Sequence, residues 1–178
     1  FFEMFSYKFL AGNADQALKD TLSIVISESL AVRLFGTSDD VVGKTIELNH
    51  DKVLNVTGVM EDSPRNSSWK FDFVLTFEFF KDDNEWVTDW GNNGPSSYVA
   101  LKEGSDPKAF EEKIKLYVKS KNKEDSNVEL FIAKYSDRYL FGNYTAGVQS
   151  GGRITYVKLF SVIAIFILVI ACINLMNL

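Results

Sequence analysis

Apolar and polar positions alternate through most of this chain and then stop alternating: from Leu159 to Leu178 there is no charged residue at all. Upstream, the pattern predicts a series of short elements. Phe5 to Leu10 reads as an extended segment closed by Gly12-Asn13. Thr21 to Ile26 is β-branched and apolar between polar flanks, the mark of a buried strand. Ser27 is placed to cap a short helix, Glu28 to Phe35, with a carboxylate in its first turn and Gly36 as its left-handed stop. A hairpin follows. Thr45 to Leu48 alternates, Asn49 to Lys52 turns, and Val53 to Met60 alternates again with Leu54, Val56 and Met60 on one face.

Residues 62–68 are rich in Ser, Asn and Pro and read as a loop, and Phe71 to Leu75 returns to extended chain. Lys81 to Gly94, acidic and Trp-containing, carries no readable period. Ser97 to Leu101 and Val128 to Ala133 read as strands. Between them Asp106-Pro107 is a helix start, with Phe110, Ile114, Tyr117 and Val118 recurring on one helical face. Gly147, Gly151 and Gly152 read as a flexible link to the apolar tail, while residues 139–146 are expected to pack against the domain and stiffen the joint. The fold class is α+β, a mixed strand–helix–hairpin domain followed by the start of one transmembrane helix.

The tail is read as membrane-spanning on length and on the absence of a polar face. Twenty helical residues cover about 30 Å, the thickness of a bilayer's hydrocarbon core. Core helices are shorter and apolar on one stripe only. The residues assigned to lipid are Leu159, Phe160, Val162, Ile163, Ile165, Phe166, Ile167, Leu168, Val169, Ile170, Cys172 and Ile173. Asn174 and Asn177 near the end suit contacts between packed helices.

Charge changes the picture by exclusion. The net charge is −5, and all 24 acidic residues precede Arg153. A nucleic-acid footprint needs clustered Lys and Arg; the one basic run, Lys113 to Lys123, is interleaved with Glu111, Glu112, Glu124 and Asp125 and reads as a solvated face. The one Cys, Cys172, lies in the apolar run, and the one His, His50, at a hairpin tip, so a zinc site lacks ligands; a serine triad is formally open only through His50, and no G-x-S-x-G turn surrounds any Ser. Gly43-Lys44-Thr45 copies only the end of a phosphate loop and opens a strand, so Gly43 reads as a turn residue. Glu61 and Asp62 are adjacent in extended chain and face opposite ways. Trp86, Trp90 and Tyr98 are a candidate aromatic binding surface, though each taken singly suits core packing as well. No residue is assigned to catalysis, to a metal or to a cofactor.

A resemblance gives these pieces a frame. Phe5-Ser6-Tyr7 with Phe9-Leu10-Ala11-Gly12, Ser23 to Ala31, Leu34-Phe35-Gly36, Val42 to Ile46, Val56 to Val59 and the closing Ile170 to Leu178 occur in an order and spacing that resembles the periplasmic core domain of MacB/FtsX-type ABC transporter permeases. The resemblance implies a periplasmic domain over residues 1–152, with its first strands lying outside the sequence, and the start of the second membrane helix over 153–178. It implies a non-catalytic permease part in a bacterial inner membrane, with ATP bound by a separate cytoplasmic ABC ATPase subunit. The permease would be a homodimer or heterodimer, touch membrane lipid, and meet a periplasmic adaptor or client. Its role would be mechanotransmission for export, efflux or lipoprotein release. The alternative reading is a ligand-binding extracytoplasmic sensor domain of a membrane receptor.

Overall fold

Ser23–Ser27 (β2) is buried at every position, as its β-branched run requires. The computed structural model describes residues 1–92, 94–122 and 127–177, which form two compact units, Phe1–Ala100 and Leu101–Leu178. In the first unit a five-stranded sheet is organised around the long strand Lys52–Met60 (β4). On one side β4 pairs in parallel with β2. Its other side is shared by two antiparallel partners: Thr45–Leu48 (β3) takes Lys52 to Asn55, and Phe9–Gly12 (β1) takes Gly58 to Met60. Phe73–Leu75 (β5) forms the outer edge beside β2.

The hairpin reading holds, but one face assignment does not. The register of β2 on β4 slips between Ile24 and Val25, so that Ile24 faces Val56 while Val25 faces Gly58. One extra residue inverts the alternation beyond it. Leu54 and Val56 therefore share their cluster with Val59, and Met60 turns to the opposite face with Val25. Phe9 explains the small residue at the slip: a Cβ on Gly58 would lie 2.5 Å from its ring.

Both faces of the sheet are covered. One cluster joins Ile24, Ile26, Leu54, Val56 and Val59 to Ala31 of the helix Glu28–Phe35 (α2) and to Phe79 of Phe77–Asp82 (α3). The other joins Val25 and Met60 to Phe2 and Ala17. The caps are those the side chains dictate. Ser27 Oγ accepts from Leu30 N–H at 3.2 Å, Gly36 takes φ 76°, and Thr76 Oγ accepts from Phe79 N–H at 3.1 Å. The expected extended start is different: Phe2–Phe5 (α1) makes one helical turn, and β1 begins only at Phe9. The turn drops Phe2 into the core, its ring 4.8 Å from that of Phe9. The stretch without a period is the end of α3 followed by a 3-10 turn, Glu85–Thr88. Residues 62–68 form the predicted loop.

Ser97 to Leu101 joins no sheet; Tyr98 instead sets its ring against Trp69 and Phe5, at 5.2 and 5.6 Å.

In the second unit Asp106 caps Pro107–Ile114 (α4) as expected, its carboxylate accepting from Lys108 N–H at 2.9 Å. The helical face breaks at Leu116 and resumes as Tyr117–Lys121 (α5). Lys123, Glu124 and Asp125 of the basic run lie outside the described residues. Val128 to Ala133 is extended but not a strand: Leu130 N–H donates to the Lys115 carbonyl at 2.9 Å and Ile132 N–H to the Glu111 carboxylate at 3.0 Å. Its backbone is satisfied by the end of a helix, not by a ladder. The unit closes with a two-stranded hairpin, Asn143–Thr145 (β6) and Val148–Gly151 (β7), and the helix Ile154–Met176 (α6).

Candidate functional site

The glycines read as a flexible link instead lie in and beside the β6–β7 hairpin, with Asn143 opposite Gly151 and Thr145 opposite Val148. Gly152 then runs directly into α6. Its φ of +145° is a conformation that side-chain-bearing residues rarely adopt, and a Cβ there would run into the Leu140 carbonyl oxygen and stand 3.0 Å from Gly142 N. This close passage lets Ile154 N–H donate to the Leu140 carbonyl at 3.0 Å. Above it the Arg153 guanidinium lies 4.4 Å from the Tyr139 ring centre, a cation–π geometry. Tyr144 rests on Phe131 at 5.0 Å. Residues 139–153 thus form a collar of local contacts at the helix foot, tied to it by the Ile154–Leu140 hydrogen bond and the Arg153–Tyr139 stack.

From Leu159 to Ile173 α6 is apolar on every side. Its 23 residues make it long and apolar enough to cross a membrane by length and composition, and none of its most apolar stretch is buried by protein. Leu159, Phe160, Val162, Ile163, Ile165, Phe166, Ile167, Leu168, Val169, Ile170, Cys172 and Ile173 all lie on it with exposed side chains. Ser161 Oγ donates back to the Val157 carbonyl at 2.8 Å, so the one hydroxyl in the run needs no outside partner.

The candidate aromatic residues occupy the first unit. Trp86 sits in the 3-10 turn against Phe80, at 6.2 Å, with its indole N–H on Asn84. Trp86 and Trp90 are each nearly half exposed. Phe73, Phe77 and Phe80 are also exposed nearby in sequence, on and after the edge strand. Sequence reading missed these phenylalanines; their spacing over a strand end and a short helix carries no single period. Tyr98 is more covered, in the Phe5–Trp69 cluster.

His50 stands in the turn at φ 58° with a fully exposed ring. Gly43 is a turn residue, its N–H on the Val56 carbonyl at 2.8 Å. Glu61 pairs with Lys8, while Asp62 faces the start of α2. There its carboxylate accepts the hydroxyl and the backbone N–H of Ser29, which holds its pKa below the ordinary value.

The family model of the MacB-like periplasmic core domain matches residues 1–117. The chain belongs to this family. Among solved structures, a domain of a candidate permease protein from Porphyromonas gingivalis is similar at 28% identity and a TM-score of 0.52, over 76% of this chain and 65% of that one. The periplasmic region of MacB from Actinobacillus actinomycetemcomitans is similar at 18% identity and a TM-score of 0.43, over 67% of this chain and 51% of that one. The chain therefore spans less than two thirds of either. No curated protein matches it. A MacB-like periplasmic core domain is part of an ABC-transporter-type permease; the family is generally non-catalytic, and MacB-type permeases in general work with ABC ATPase partners. With α6 as a candidate membrane helix, the chain reads as part of a membrane-anchored protein.

Proposed function

We propose that this MacB-like domain is a mechanotransmission element: α6 moves in the bacterial inner membrane when a separate cytoplasmic ATPase subunit turns over ATP, and the periplasmic domain moves with it to export or release a client. The observation that carries this reading is the collar. A relay needs a stiff joint, and the Ile154–Leu140 hydrogen bond, the Arg153–Tyr139 stack and the clash-limited Gly152 passage favour one. The exposed rings of Phe77, Phe80 and Trp86, in contact with one another, together with exposed Trp90, are the surface offered to a client, since aromatic residues are enriched at protein contacts.

The test uses the intact permease with its ATPase in proteoliposomes. Nitroxides at Asp51 and Leu175, in a Cys172→Ser background, report the distance between the hairpin tip and the helix end. ATP is expected to shift this distance. Gly152→Ala, which forces the collar apart, is expected to remove the shift while ATP turnover persists. A distance in the unaltered permease that ignores ATP overturns the proposal.

A further inference from the structure

Charge is segregated along this chain in a way that the relay does not require. No Asp or Glu follows Asp137, whereas Arg138, Arg153 and Lys158 do. The cations are thus gathered beside the start of α6, on a protein that is otherwise acidic. Among the described residues Arg153 makes no ion pair. It instead rims an open groove of about 620 Å³, whose upper lip also carries Tyr139 and Tyr156 and whose floor descends through Val157 to Phe160 and Ala164. The first backbone N–H groups of α6 are already used, Ile154 on Leu140, Thr155 on Gly152 and Tyr156 on Arg153. Recognition at this end therefore falls to side chains.

Such a groove runs from cationic to aromatic to apolar over about three helical turns, roughly 16 Å. That order matches a phospholipid read from phosphate to glycerol to acyl chain. Tyrosine favours the level of the headgroups, and a guanidinium is suited to a phosphate by charge and by its fork of donors. We infer that the foot of α6 binds an anionic phospholipid, with Arg153 on the headgroup phosphate, Tyr139 and Tyr156 at the ester level, and Val157 and Phe160 along the first acyl carbons. Bound there, the lipid lies across the collar and the helix together and holds the joint closed. The inference rests on α6 spanning the membrane, but its test needs neither ATP nor a client, so its failure is distinguishable from failure of the relay.

The intact permease is reconstituted in vesicles of equal phosphatidylglycerol and phosphatidylcholine, extracted in mild detergent, and the retained lipid is counted by native mass spectrometry. Preferential retention of phosphatidylglycerol is expected. Arg153→Gln should reduce it about fivefold, and Arg153→Lys should keep most of it, since a phosphate is satisfied by charge even where the stack on Tyr139 is altered. Lys158→Gln, lower on the helix and away from the collar, should give a smaller loss and covers the case in which Arg153→Gln fails to fold. Equal retention of the two lipids, or retention in folded Arg153→Gln as in the parent protein, overturns the inference.

Discussion

β2 and α6 are both apolar stretches of this chain, and they differ in burial. All five residues of β2 are buried by protein, while none of the most apolar stretch of α6 is buried among the described residues. The difference is one of length and partners. A five-residue strand has backbone groups that only neighbouring strands can satisfy, so β2 is held between β4 and β5. A 23-residue helix satisfies its own backbone and can bury its surface in lipid alone. Hydrophobicity says that a segment leaves water; hydrogen bonding decides whether protein or membrane receives it.

Substitutions that act on one region and spare the other would break or sharpen this contrast. The largest effect is expected in the sheet. Ile26→Ala, at a fully buried position, should cost about 2–5 kcal/mol of domain stability, seen as a lower melting temperature with membrane extraction unchanged. Ile163→Arg should do the reverse. It places a charge near the middle of α6, costs about 2.5–3.5 kcal/mol of insertion, and should leave the domain's melting in place while more protein resists membrane integration. If Ile163→Arg instead melts the domain, α6 is a protein-packed helix and the contrast fails.

The smallest effect lies at the start of α2. Asp62→Ala removes the carboxylate that holds Ser29; because the site is exposed, solvent screening keeps the loss below about 1 kcal/mol. The native pKa lies below the ordinary 3.8, so the carboxylate's contribution is complete above that value and fades as pH falls through the native one. Melting curves of the two proteins should therefore differ near neutral pH and converge in acid. A difference that grows in acid would mean that Asp62 is stabilised in its protonated form.

Much of the fold was legible because local chemistry decides it. The α2 boundaries follow from Ser27 and Gly36, the start of α4 from Asp106 and Pro107, and the hairpin from its alternation about Asn49 to Lys52. The misreadings share a cause. Ser97 to Leu101 and Val128 to Ala133 have strand composition, but a strand exists only if a ladder partner is free, and here Tyr98 and the end of α4 claim those segments first. Of the candidate functional surfaces, Trp86 and Trp90 could be named from composition, whereas Arg153, Tyr139 and Leu140 could not be joined across the hairpin that separates them.

By itself the sequence determined the run that leaves water, the helix caps, the exposed hairpin tip at His50 and the family's succession of short motifs, because each depends on neighbours within a few residues. Tertiary structure alone decided that Met60 and Val59 exchange faces at the β4 slip, that glycines expected to bend freely form a hairpin, and that Leu140 and Tyr139 meet the start of α6. Those outcomes depend on pairing across distant chain, where a single inserted residue or one competing hydrogen-bond partner changes the result.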